Sequence, residues 1–269
     1  MNNLIFFKET FIKDFKIAFS YRLQFYISLF SIIFSFFFLV IFSSLVGDGN
    51  EDILKNYKVD YFNFLFLGIL IAEITNTLLN TMPNTIKNYQ STGILEELML
   101  NGRRESTIIL SSLAFPSFRL IIRMMVYIIL FGFFSEENIF VNLEALSLIY
   151  LLIFATSLVG ISLIGSSLTI VLKGSSLIPQ AYLLISSVLC GIAFPIELLP
   201  DFFIYFSDLL PTTHFLLLIR SDIVDGDFVD FNYRFSMLCI QSLILIILGT
   251  ICLNRAIKFS KKHGTLLFY

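Results

Sequence analysis

Residues 87–104 have the sequence KNYQSTGILEELMLNGRR and lie between two long apolar stretches, Tyr61–Met82 and Phe115–Phe134. Within this polar segment apolar residues recur at the spacing of a short helix, with Gly93 before them and two arginines after them. A glycine permits the sharp entry that such a helix needs. The pattern predicts two membrane-crossing helices joined by a surface helix that a soluble partner can contact.

The composition is that of a membrane protein. The 269 residues are 57% hydrophobic and 14% charged, and they include 32 phenylalanines, whereas a soluble domain carries roughly 25% charged residues. The three cysteines lie in apolar stretches without short spacing, which argues against a disulfide framework or a metal site. No basic stripe with interleaved aromatics is present, so nucleic acid is not an expected partner.

Six stretches are long enough to cross a bilayer, which takes about 20 apolar residues. They are residues 23–46, 61–82, 114–134, 145–172, 177–195 and 236–256. The first has no small-residue cleavage site after it, so we expect it to remain in the mature protein. The sequence therefore predicts an all-α, polytopic membrane protein in one domain, residues 1–269.

Residues 196–219 are also apolar but have the features of a re-entrant helical pair on the outer side. Proline breaks helices, and carboxylates are costly at the bilayer centre. The segment contains Pro200, Pro211, Glu197, Asp201 and Asp208, and Pro195 precedes it.

The Lys/Arg distribution orients the chain, because cytoplasmic segments of membrane proteins are enriched in these residues. With the N-terminus inside, only four of the 18 basic residues lie outside: Lys55, Lys58, Arg220 and Arg234. Both termini are therefore predicted to be cytoplasmic.

Residues 1–22 place four phenylalanines on one face of a predicted helix: Phe7, Phe11, Phe15 and Phe19. Lysines lie off this stripe, as in a helix within the inner headgroup layer of the membrane. This cytoplasmic interface helix either anchors the first span or contacts a soluble partner.

Residues 83–107 also leave two interpretations open. In the first, the segment docks a soluble partner: apolar residues such as Leu95 and Leu98 line one side of a helix, and Glu96 and Glu97 can contact the partner. In the second, it is a solvated loop that connects two spans.

Glu73 is the acidic residue that falls inside a predicted span, and Arg123 lies at a similar depth in the next span. Antiparallel neighbours would bring the two together, as a structural clamp or as a substrate contact.

The fourth span is rich in small residues, which suit either internal packing or a homodimer seam. No phosphate-binding loop is visible, so the chain is not expected to be an enzyme that hydrolyses ATP.

Several motifs, taken in order, resemble the transmembrane subunits of bacterial ABC-2 type exporters over nearly the whole chain. FSYR at 19–22 is similar to the family's start, and TGILEEL at 92–98 is similar to its coupling helix, with Ile94 where threonine is usual. FPIELLP at 194–200, then LPTTH at 210–214 and Arg220, resemble its most specific stretch. KKHGTL at 261–266 fits one branch of the family.

The resemblance implies a half-transporter of the bacterial inner membrane that pairs with a second permease copy, identical or related. A separate ABC ATP-binding subunit would dock on the coupling helix, through Gly93, Leu95, Glu96, Glu97 and Leu98. That subunit would carry ATP and magnesium, so this chain is expected to bind no cofactor directly. The substrate would be a drug, a lipid or a lipid-linked glycan.

Two other classes of membrane protein fit the sequence less well. A proton-driven secondary transporter would use Glu73, but it should show internal repeats with paired broken helices, and none is visible. A membrane enzyme should show a clustered catalytic set, and no such set is visible either.

Overall fold

The computed structural model describes residues 3–47, 60–94, 97–98, 105–135, 145–172, 177–224 and 230–263. These ranges are α-helical apart from short connections and contain no β-strand. The helices are α1 (Asn3–Ser20), α2 (Arg22–Gly47), α3 (Tyr61–Ser91), α4 (Glu105–Ser111), α5 (Ala114–Phe134), α6 (Ala145–Leu172), α7 (Leu177–Leu189), α8 (Asp201–Ser207), α9 (Pro211–Val224) and α10 (Phe231–His263). A short 3-10 helix, Ile196–Leu198, precedes α8.

Five helices among the described residues are long and apolar enough to cross a membrane: Tyr26–Leu45, Tyr61–Ser91, Thr107–Phe134, Leu146–Leu172 and Phe231–Lys262. The number is six if α8 and α9, which are bent by 92° relative to each other, count as one broken span. The protein is thus an all-α, multi-pass membrane protein, and the predicted fold class is confirmed.

Helix α6 packs closely against α10 through glycines. A Cβ atom built on Gly160 would lie 2.6 Å from the backbone carbon of Leu245, and one built on Gly249 would lie 2.5 Å from the carbonyl oxygen of Gly160. The two backbones therefore touch where a side chain would separate them. The sequence left open whether the small residues of this fourth span serve internal packing or a homodimer seam. For Gly160 the structure shows internal packing.

Helix α3 extends nine residues beyond the predicted end of its span at Met82. Pro83 lies inside this helix and has no N–H to donate to the carbonyl of Leu79. In the structure Ser162 of α6 donates to that carbonyl instead, with an Oγ–O distance of 2.9 Å. Gly165 lies beside Pro83 and Pro179, where a Cβ would not fit, so α6 accommodates both proline rings.

Helix α7 has 13 residues and ends at Leu189, six residues before the predicted end of the fifth span. At 1.5 Å per residue it is about 20 Å long, shorter than the roughly 30 Å hydrocarbon core. The chain leaves the helix through Gly191, whose φ of +75° is left-handed and favours glycine. Apolar composition continues through this break, which is why the sequence did not reveal it.

The prolines that follow α7 begin helices rather than interrupt them. Pro195 precedes the 3-10 helix, Pro200 precedes α8, and Pro211 is the first residue of α9. The fixed φ of proline suits a helix start, where no N–H partner is lost. Ser207, at the end of α8, donates to the carbonyl of Leu189 at 2.8 Å and so ties the bent pair to the end of α7.

Candidate functional site

The first candidate site is an ion pair between α3 and α5. Arg123 donates from Nη2 to Oε1 of Glu73 over 3.0 Å, and the two side chains are 20% and 18% exposed. The second carboxylate oxygen of Glu73 and Nε of Arg123 are buried and have no hydrogen-bond partner among the described residues. The pair therefore fixes α3 against α5 and keeps capacity for a further hydrogen bond.

The second candidate site is the turn that ends α3. Thr92 donates from its hydroxyl to the carbonyl of Asn88 over 2.7 Å, and Gly93 follows with a φ of +74°. A left-handed glycine after the last helical turn is a common helix end. The buried Gln90 donates to the carbonyl of Ile170 at 3.4 Å and so holds this turn against the end of α6.

Beyond the turn, the structure describes part of the predicted docking segment. Ile94 and Glu97 are exposed and Leu98 is half-buried, whereas Leu95 and Glu96 lie outside the described residues, as do Arg103 and Arg104. The described docking residues thus follow directly on α3, a continuous helix of 31 residues.

Helix α1 packs against both ends of this segment. Phe11 lies edge-on to Phe115 and Phe118 at the start of α5, with ring centroids 5.8 and 5.6 Å apart. Lys13 donates from Nζ to the hydroxyl of Tyr89, near the end of α3, over 3.1 Å. Partial burial lowers the pKa of Lys13, but the hydrogen bond to Tyr89 and the adjacent Asp14 outweigh it and raise the pKa above its ordinary value.

The match of the ABC-2 type transporter model covers residues 12–223, which include the second half of α1, all of α2 through α8, and α9 except its last residue. The chain belongs to the ABC-2 type transporter family. It is therefore the membrane-spanning permease component of an ABC transporter, a family whose permeases normally work with an ATP-binding subunit. A comparison with individually curated proteins finds no match.

In this ABC-2 permease a buried arginine holds the segment that follows α7. Arg220 of α9 is 1% exposed and donates to the carbonyls of Gly191 at 2.8 Å and Phe64 at 3.1 Å. Its guanidinium carbon lies 3.5 Å from the centroid of the Phe64 ring, a close cation–π contact. The arginine thereby joins α9 to α3 and to the break after α7.

A second polar cluster connects the bent pair to α10 of the permease. Asp208 accepts from Arg234 through its side chain, and its carbonyl accepts from Gln241 at 2.9 Å. His214, fully buried, lies 2.8 Å from the same carbonyl. No residue type in the sequence marks these contacts of His214, because one partner is a backbone carbonyl and the other, Arg234, lies 20 residues further along the chain.

The four motif residues named from the sequence lie in, or directly before, the short helices that follow α7. Pro195, Pro200 and Pro211 shape the backbone, as described above. Glu197 lies in the 3-10 helix and is exposed.

Proposed function

We propose that this permease is the membrane subunit of an ATP-driven exporter, docked by a separate ATP-binding subunit on the coupling segment 83–107. It would move a drug, a lipid or a lipid-linked glycan outward across the bacterial cytoplasmic membrane. Both termini would be cytoplasmic, and a second permease copy, identical or related, would complete the path. ATP and Mg²⁺ would be held by the partner subunit.

The observation that carries this proposal is the continuity of α3. One helix, Tyr61–Ser91, extends from its outer contact with Arg220, through the Glu73–Arg123 pair, to the turn at Gly93. A push on the residues after Gly93 is thus transmitted along a single rigid element. Ser162 supports that helix at Pro83, the one position where it would otherwise lose a backbone hydrogen bond.

Helix α1 adds a second point of contact with the cytoplasmic side. It packs on the start of α5 through Phe11 and on the end of α3 through Lys13. A partner seated on the coupling segment would therefore move α1, α3 and α5 together. This arrangement favours a docking platform over a loop that merely connects two spans.

The experiment is an affinity purification of the tagged chain from its native membrane, with identification of the co-purifying proteins and an ATPase assay. We expect a stoichiometric soluble ATPase in the wild type and its loss in a Glu96→Lys, Glu97→Lys double variant. The matched control is Lys262→Glu, an exposed charge at the inner end of α10, which should retain the ATPase. Loss of surface charge contacts lowers partner affinity without unfolding an exposed segment.

Two outcomes would contradict the proposal. If the chain purified without any ATPase, the result would favour the alternative of a proton-driven secondary transporter, with Glu73 as its ionisable group. Equal retention of the ATPase by the double variant would show that the partner docks elsewhere.

A further inference from the structure

One face of α3 is polar along its inner half. Six residues recur at intervals of three or four and so share a helix face; they are Glu73, Thr77, Asn80, Asn84, Lys87 and Ser91, and we call them the α3 stripe. The first three are half-buried and the last three are exposed. Asn76 and Asn88, beside the stripe, are exposed as well.

The stripe differs from the outward faces of the other spans. The exposed side chains of α2, α5 and α10 are mostly aromatic or aliphatic, for example Phe30 at 68%, Ile129 at 60% and Leu243 at 60% exposure. Such faces suit lipid. Amide side chains do not, because hydrocarbon offers no hydrogen bonds and an unpaired amide there costs several kcal/mol. The α3 stripe therefore faces something other than lipid.

The upper part of the stripe lies at membrane depth. Counted from Tyr61, Glu73 is about 18 Å along the helix, Asn76 about 22 Å and Asn80 about 29 Å, within a hydrocarbon core of about 30 Å. Asn84 and the residues after it reach the inner headgroup layer and the coupling turn. The polar face is thus continuous from the cytoplasmic surface to the middle of the membrane.

The charges beside the stripe favour an anion. Glu73 is neutralised by Arg123, and Arg119 lies one helical turn further toward the inner end of α5. Since α3 and α5 are antiparallel and joined at Glu73 and Arg123, Arg119 is level with Thr77. Arg119 is exposed, and among the described residues no carboxylate pairs with it.

The hydrogen-bonding groups favour a hydroxyl-bearing ligand. Asn80 donates from Nδ2 to Oδ1 of Asn76 over 2.8 Å and to the backbone carbonyl of Asn76 over 3.1 Å, which leaves Oδ1 of Asn80 and Nδ2 of Asn76 for a ligand. Glu73 keeps an unpartnered carboxylate oxygen among the described residues. Amides bind hydroxyl groups, and arginine binds phosphate-type anions through its planar fork.

We propose that the α3 stripe and Arg119 receive the headgroup of an anionic, hydroxyl-bearing amphiphile that enters from the inner leaflet while its tail stays in lipid. This inference rests on the proposed transport function and narrows its substrate from the three classes to an anionic lipid or an anionic lipid-linked glycan. A cationic apolar drug fits the site poorly, because it offers no acceptor to Arg119 and is repelled by its charge.

The first experiment tests whether water reaches the side chains of the α3 stripe. Single cysteines replace Asn76 and Asn80 in a background with Cys190, Cys239 and Cys252 changed to alanine, in the full chain reconstituted in phosphatidylcholine vesicles. The depth-matched control is Ile121→Cys, an exposed position on α5. We expect a small uncharged maleimide to label the stripe about tenfold faster or more, because the reactive thiolate forms only where water reaches.

The second experiment asks what the stripe binds. We expect dodecyl phosphate to slow labelling of Asn76→Cys, whereas dodecyltrimethylammonium and free inorganic phosphate leave it unchanged. Adding Arg119→Gln should abolish protection by dodecyl phosphate while rapid labelling persists. The matched control, Lys258→Gln, removes an exposed charge from α10 and should leave protection intact.

Three results would overturn the inference. Labelling of the stripe as slow as that of Ile121→Cys would show a dry face, covered by lipid or by a second copy. Protection by dodecyltrimethylammonium equal to that by dodecyl phosphate would remove the anionic selectivity, and protection by inorganic phosphate would show a free-anion site. Because the ATPase is absent from both assays, none of these results depends on whether the ATP-driven coupling proposed above is correct.

Discussion

The hydroxyl of Ser162 occupies the place of a missing backbone donor, 2.9 Å from the carbonyl oxygen of Leu79. That carbonyl lies one turn before Pro83 and would otherwise be left without its helical partner. Both Ser162 and Leu79 are fully buried. A proline inside α3 is thereby accommodated by a neighbouring helix, and α3 remains continuous to the turn at Gly93.

Removing that hydroxyl should destabilise the protein. For Ser162→Ala we expect a loss of about 1–3 kcal/mol, the cost of leaving a buried carbonyl unpaired, measured as thermal or denaturant unfolding in detergent. Adding Pro83→Ala should recover much of the loss, because alanine restores the backbone N–H. If the two substitutions were simply additive, the hydroxyl would not be compensating for the proline.

The contact between α6 and α10 should not tolerate a side chain at Gly160. Gly160→Ala places a methyl group 2.6 Å from the backbone of Leu245, so we expect a destabilisation of about 1–3 kcal/mol from overpacking. The control is Gly132→Ala, since nothing lies within 4 Å of the Cβ position at Gly132. Equal melting temperatures for the two variants would contradict this close approach.

The Glu73–Arg123 pair should show coupling in a double-mutant cycle. Glu73→Gln or Arg123→Gln alone leaves an uncompensated, largely buried charge, and removal of both should cost less than the sum of the two. We expect an interaction free energy of about 0.5–3 kcal/mol, read from unfolding of the purified protein. Additive effects would argue that each residue acts independently of the other.

Arg220 should not be replaceable by lysine. The guanidinium binds two carbonyls on different elements and stacks on Phe64, and an ammonium group cannot match that planar geometry. We expect Arg220→Lys to release the segment after α7, with faster limited proteolysis near Gly191. The control Arg234→Lys, in the neighbouring cluster, should leave cleavage near Gly191 at the wild-type rate.

The features that sequence reasoning captured are those that repeat along the chain. Long apolar stretches predicted five of the six spans, whereas the fifth stretch, residues 177–195, forms a helix of only 13 residues. The 3.6-residue period places Phe11 and Phe15 on one face of α1. Helix ends were harder where composition does not change. The break at Gly191 lies within apolar residues, and the continuation of α3 past Pro83 depends on a hydroxyl 79 residues away in the sequence.

The polar contacts also divide into those that the sequence could predict and those that it could not. Glu73 and Arg123 could be matched because each is an unusual residue at a countable depth in adjacent spans. The partners of Arg220 are backbone carbonyls, which every residue carries, so no residue type marks them. The links of Asp208 to Arg234 and Gln241 join segments whose approach depends on the bend between α8 and α9.

The placement of Arg220 also has a consequence for how the chain is made. Its two acceptors, Phe64 and Gly191, both precede it in the sequence, and synthesis proceeds from the N-terminus. When the ribosome releases α9, the carbonyls that accept from its arginine have already been delivered to the bilayer. Arg220, whose charge is costly to bury without partners, therefore enters the membrane only after its two acceptors. A chain truncated before α9 would leave two carbonyls without their donor, but it would contain no unpaired arginine at this place.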